Sequence, residues 1–62
     1  MKIIRADNFD REDHRGDEYE VAIVNEFWGK RITELLNNSE PKDSDDYFKC
    51  VEDNYKLRKF EP

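Results

Sequence analysis

Three carboxylates and the single histidine of this 62-residue chain fall within one short stretch, Asp10-Arg11-Glu12-Asp13-His14. Carboxylates with an imidazole are the ligand types of hard and borderline divalent metals. Their spacing here matches no metal-binding loop. Asp43-Ser44-Asp45-Asp46 opens like a calcium loop but lacks the glycine and the twelfth-position glutamate that close one. His14 and its neighbouring acids could exchange protons, yet no nucleophile or oxyanion donor accompanies them. Cys50 lies in the apolar phase of a predicted strand beside Phe48, where a free cysteine is commonly a small hydrophobe. Lys49 is its one basic sequence neighbour, too little to mark an activated thiol. The chain is therefore read as non-enzymatic, with no metal and no cofactor.

Charge is the second source of chemistry. Residues 7–20 carry seven acids (Asp7, Asp10, Glu12, Asp13, Asp17, Glu18 and Glu20) against Arg11 and Arg15, a local charge of −5. Residues 40–46 carry Glu40, Asp43, Asp45 and Asp46 against Lys42, a further −3. The chain total is −5, so the remainder is +3 and the charge is segregated along the sequence. Two acidic loops on one side of a small protein form a negative field that steers basic partners and repels nucleic acid. Carboxylates spaced like phosphates can also occupy the groove of a nucleic-acid-binding enzyme, which binds chiefly through Lys and Arg. The bland alternative is that the loops only maintain solubility. Tyr47, Lys49, Tyr55, Lys56 and Arg58 support a different reading, because interleaved aromatic and basic side chains on a hairpin can stack bases and hold phosphates. Strand alternation produces the same mixture with no ligand involved, and the acidic total disfavours direct nucleic-acid binding.

These side chains need a scaffold. Met1–Arg5 is rich in β-branched residues and predicts a strand, followed by a polar loop over 7–17. Residues 18–24 alternate with period two and predict a second strand. Asn25 is suited to accept a hydrogen bond from a free first-turn N–H, and Glu26 favours the positive helix end. Trp28, Ile32, Leu35 and Leu36 then share one face of a helix over 26–37. Gly29 inside it weakens the helix by about 1 kcal/mol relative to Ala, a cost explained if it lets Phe27 or Trp28 pack closely. Asn37 to Asp46 reads as a loop, with an asparagine capping the helix in a left-handed conformation and Pro41 blocking its continuation. Tyr47–Val51 and Tyr55–Phe60, separated by Glu52-Asp53-Asn54, read as a hairpin.

The resulting expectation is one α+β domain over residues 1–62, in the order ββαββ, with a small antiparallel sheet of three or four strands and one helix packed on one face. The rival order, βαββ, makes 19–37 a single long helix; Val21, Ile23 and Val24 favour the strand. So short a chain has room for one core only, and folding removes only about 60% of its unfolded surface from water. One cysteine forms no internal disulfide, which raises the weight of oligomerisation or partner binding. A charged fraction of 44% leans toward disorder, but eight aromatic residues supply enough apolar area for a core. The opening apolar run is far shorter than a signal peptide's, so the expected location is a reducing cytoplasm.

Ala6-Asp7-Asn8-Phe9-Asp10-Arg11-Glu12, Trp28-Gly29-Lys30-Arg31-Ile32, and Asp53-Asn54-Tyr55-Lys56-Leu57 with Phe60-Glu61-Pro62 together resemble small acidic phage and prophage proteins. The resemblance covers most of the chain and assigns no residue a chemical role. What it implies is a setting: such proteins bind host proteins, antiviral defence enzymes among them, and redirect or inhibit them. The expected function is an interaction protein that engages a basic surface on a host or defence protein, acting from the host cytoplasm. The residues expected to make that contact are Asp10, Glu12, Asp13, Asp17, Asp43, Asp45 and Asp46. A nucleic-acid-binding hairpin and a self-assembling structural subunit are the alternatives.

Overall fold

A computed structural model describes residues 1–9 and 11–61 of the chain. Three strands, β1 (Lys2–Asp7), β2 (Tyr19–Ile23) and β3 (Asp46–Val51), and one helix, α1 (Glu26–Ser39), make a small α+β fold. A single 3₁₀ turn, His14–Gly16, lies between β1 and β2. The sheet is antiparallel throughout, in the order β2-β1-β3, so the first strand is the central one. Being central, β1 is flanked on both sides, and its Ile3 and Ile4 have no exposed surface. Together with Ala6 they form the buried apolar core, and each isoleucine contributes about 1.5–3 kcal/mol of burial.

Opposing residues define the two faces of the sheet. Ile3 lies across from Ala22 and Cys50, and Ile4 across from Glu20 and Lys49. Two residues of β2 are used between those partners where β1 uses none, so Val21 is an extra residue in a β-bulge. Helix α1 covers the Ile3 face, lying across β3 and β1 and leaving β2 bare on that side. Asn25 starts the helix, its side chain accepting from the Trp28 N–H at 2.9 Å.

The apolar stripe of α1 is rotated from its sequence-based expectation. Gly29 and Thr33 are the buried helical positions, Ile32 and Leu36 are half-buried, and Trp28 and Leu35 are exposed. Gly29 explains the rotation: a Cβ there would come within 2.7 Å of the Cys50 sulfur and 3.2 Å of Val24 Cγ2. The helix approaches the sheet at its glycine, and the large side chains on either flank are carried outward. Gly29 thus serves its own contact with β3 rather than the packing of Phe27 or Trp28.

The end of α1 also departs from expectation. No left-handed asparagine closes it; the capping residue is Glu40, in an extended conformation with φ of −84°. Asn37 instead reaches sideways to the outer edge of β3, donating to Phe48 O and accepting from Phe48 N, both at 2.8 Å. One amide side chain thereby satisfies two of the backbone groups that a fourth strand beside β3 would have used.

The expected strand over Tyr55–Phe60 is accordingly absent. A turn at Glu52–Asn54, closed by Tyr55 N to Glu52 O at 3.0 Å, sends the chain across the Ile4 face toward β2. There Arg58 O accepts from Glu18 N at 2.8 Å, and Phe60 N donates to an Asp17 carboxylate oxygen at 2.7 Å. No helix among the described residues is long and apolar enough to cross a membrane.

The close approach at Gly29 generates a double-mutant test. Replacing Gly29 with Ala should destabilise the fold by about 1–3 kcal/mol through overpacking, despite the gain in helix propensity. In a Cys50→Ala background the same replacement should cost less than half as much, as read by urea denaturation. Equal costs in both backgrounds would show that the helix does not seat on Cys50.

Candidate functional site

Strands β1 and β3 meet at one end of the sheet, where Asp7 lies opposite Asp46. The two acidic loops both leave from that end. Asn8 N donates to Asp45 O at 2.8 Å and Asn8 Nδ2 to Ser44 O at 2.9 Å, which ties the loops into one surface. Arg11 completes the junction, its guanidinium lying 3.2 Å from Asp45 and 3.8 Å from Asp7.

The first loop is built around its own carboxylates. Asp7 accepts from the backbone N–H of Arg11 at 2.7 Å and of Phe9 at 3.2 Å, and these bonds hold its carboxyl below the usual range. Asp13 caps the 3₁₀ turn through Arg15 N and pairs with the Arg15 guanidinium at 2.7 Å, which lowers its pKa likewise. Asp17 is held down first by the Phe60 N–H and then by His14, whose Nδ1 lies 3.1 Å away. Gly16 packs directly on the Arg11 carbonyl, leaving no space for a side chain. The loop is thus partly stitched by Asp-to-backbone bonds, the local chemistry that favours turns.

The seven acids expected to contact a partner therefore occupy different situations. Glu12 and Asp43 are exposed, Asp45 is 61% exposed beside Arg11, and Asp13 is 43% exposed in its pair with Arg15. Asp46 is mostly covered and bonded to Arg5, while Asp17 is 12% exposed and turned toward the C-terminal segment. Asp10 lies outside the described residues. Loop 40–46 and loop 8–17 are brought together; Asp17 and Asp46 act within the fold. Among the described residues, no cluster of three His, Cys, Asp or Glu side chains is arranged to hold a metal ion.

Behind this surface lies a residue that the sequence did not single out. Glu18 is 4% exposed. Its carboxylate is 2.8 Å from Lys49 Nζ and accepts from Tyr55 OH at 2.7 Å and Arg58 N at 2.8 Å. Lys49 Nζ also donates to Tyr55 OH at 2.7 Å, and Lys59 Nζ reaches the Glu18 carbonyl at 2.8 Å. Desolvation pushes the Glu18 carboxyl up, but the bonds from Lys49, Arg58 and Tyr55 outweigh it and hold the group below its ordinary value. Burial likewise pulls the Lys49 ammonium down, and Glu18 and Tyr55 more than reverse that.

A cleft of about 410 Å³ opens beside this network, lined by Asn8, Glu18, Tyr47, Lys49, Tyr55 and Arg58 among others. The hairpin residues considered for nucleic acid thus divide: Lys49 and Tyr55 face Glu18, whereas Tyr47 and Lys56 are exposed. Nothing in the sequence links Glu18 to a tyrosine 37 positions later; the weak signal available was an acid at the first position of the predicted strand.

No family model, curated protein or solved structure matches this chain.

Glu18 generates a pH prediction. Its folded pKa lies below the unfolded value, so its stabilising contribution is complete above the ordinary glutamate range, near pH 4.3, and disappears as pH falls through the folded value. Replacing Glu18 with Gln leaves Lys49 without its counter-charge and should cost about 2–4 kcal/mol at pH 7. The gap between the two proteins should narrow once pH falls below the ordinary glutamate value, about 4.3, and close only when the folded carboxyl is itself protonated. A gap constant from pH 7 to pH 3 in thermal denaturation would assign the loss to packing instead.

Proposed function

We propose that this chain is a non-enzymatic interaction protein whose joined acidic loops engage a basic, nucleic-acid-binding surface of another protein. The observation that carries this reading is the bond from Asn8 N to Asp45 O with its neighbour from Asn8 to Ser44, because it makes one surface of two loops that are separate in sequence. Glu12, Asp13, Asp43 and Asp45 are the side chains through which that surface acts. Asp7, Asp17 and Asp46 support it from within, so binding leaves the loop framework undisturbed.

A preformed array of carboxylates meets Lys and Arg at little conformational cost, which favours affinity. It also accelerates encounter, an effect that weakens as salt rises. Arg11 and Arg15 temper the field and fix the positions of Asp45 and Asp13. The resemblance to small acidic phage proteins supplies the setting: a phage product in the host cytoplasm that occupies the basic groove of a host or defence protein and so inhibits or redirects it. No catalytic step and no cofactor enter this reading.

The test compares wild-type protein with the triple variant Glu12→Gln, Asp43→Asn, Asp45→Asn in nuclease-treated bacterial lysate, with bound proteins identified at low and high salt. A basic nucleic-acid-binding protein should be retained by wild type at low salt, released at high salt, and bound at least tenfold more weakly by the variant. The variant should keep its melting temperature, since exposed charges contribute little to stability. Equal capture by the two proteins would rule out the acidic surface as the binding site.

A further inference from the structure

The two edges of the sheet are treated differently. On β3 the outward N–H and C=O of Phe48 are both occupied by the Asn37 side chain. Among the described residues, the outer edge of β2 is closed at its beginning alone, where Glu18 N meets Arg58 O. Farther along, Val24 and Met1 exchange backbone bonds, Val24 N to Met1 O at 2.8 Å and the Met1 amine to Val24 O at 2.7 Å. Alternation in an antiparallel ladder then turns the N–H and C=O of Ile23 away from β1, toward the open side. Ile23 is also the most exposed large hydrophobic residue, at 71%. Phe27 and Trp28, four and five positions later in the first turns of α1, are 62% and 50% exposed.

An open strand edge flanked by bare apolar side chains is a template for pairing with another strand. The chain's surface area indicates how much covering it lacks. A monomer of 7.5 kDa is expected to expose about 4,250 Å², whereas this chain exposes 4809 Å². The Cα trace is correspondingly thin, 37 × 29 × 12 Å. The excess, on the order of 500 Å², is a large part of the roughly 800 Å² that each partner gives to an ordinary specific interface.

We propose that a second copy of this chain covers that edge, β2 pairing antiparallel with its counterpart about a two-fold axis at Ile23, so that Ile23 of the two copies exchange N–H···O bonds. An axis normal to the sheet reverses strand direction while keeping both helices on one face. It produces a continuous six-stranded sheet with both helices on one face. The interface is isologous, as closed dimers require.

Charge distribution is compatible with a second copy in this position. The acidic loops leave from the end of the sheet marked by Asp7 and Asp46, whereas Ile23 lies opposite Lys2 at the other end. Pairing at Ile23 therefore places the two acidic surfaces at opposite poles, where the repulsion between chains of net charge −5 is smallest. The proposal is independent of what the acidic surface binds.

Sedimentation and amide hydrogen exchange across a concentration series test it. Wild-type protein should shift from its 7.5 kDa chain mass to twice that mass as concentration rises. Exchange at the Ile23 amide should slow as concentration rises, because that N–H gains a partner only in the dimer. Ile23→Lys should weaken association at least tenfold. Leu35→Lys, which changes an equally exposed side chain two turns farther along α1, should leave association unchanged. A monomer at millimolar concentration, an Ile23 amide whose exchange is independent of concentration, or a dimer unaffected by Ile23→Lys would each overturn the proposal. The exchange measurement uses wild-type protein and so decides the matter even if Ile23→Lys fails to fold.

Discussion

A carboxylate removed from water has to be matched by donors, and Glu18 is the point where this small fold meets that demand. Its partners come from three separate stretches: Lys49 from β3, Tyr55 from the turn beyond it, and the Arg58 backbone from the extended segment that follows. The bonds are worth making only together, because leaving any one partner out strands a charge in a poorly hydrated place. This network is what lays the C-terminal segment across the Ile4 face, which would otherwise be open to solvent. With the apolar core reduced to Ile3, Ile4 and Ala6, a buried ion network takes on organising work that a larger domain leaves to hydrophobic packing.

The same segment couples the framework to the acidic surface. Asp17, directly before Glu18, accepts from Phe60 N, and His14 packs edge-on against the Phe60 ring at 5.2 Å. The loop carrying Glu12 and Asp13 is therefore anchored at one end by β1 and at the other by the C-terminal segment. Its acids divide the labour: Asp7 and Asp17 shape the loop, and Glu12 and Asp13, with Asp45 of the neighbouring loop, give the surface its external charge. Formal charge alone overstates such a surface, because Arg5, Arg11 and Arg15 are already engaged with it.

The molecule is consequently polar along its sheet. One end carries the joined acidic loops; the other carries an open strand edge with Ile23, Phe27 and Trp28. Arg31 lies over both aromatic rings, 4.7 Å from Phe27 and 5.7 Å from Trp28, so even the exposed apolar end is organised by a cation. If the two ends act as proposed, a dimer presents two acidic surfaces pointing apart, and a target with two basic sites is held by avidity rather than by one strong contact.

Local features were legible in the sequence because their causes are local. The strand expected at 18–24, formed over Tyr19–Ile23, the cap at Asn25 and the α+β class follow from local propensity and from hydrogen bonds within a few residues, and the structure contains them; the alternation itself does not appear, because β2 carries a bulge and is mostly exposed on both faces. The segregation of acids into 7–20 and 40–46 is a property of the sequence itself. Three features were decided only in the tertiary structure. The helix turned its glycine, not its tryptophan, toward the sheet, because close approach to Cys50 depends on a residue 21 positions away. The last segment did not form a strand, because Asn37 occupies the middle of the β3 edge at Phe48 and Glu18 holds the segment across the sheet instead. The burial of Glu18 has the same origin: a charge goes inside only where distant donors converge on it, and periodicity within one segment carries no information about that convergence.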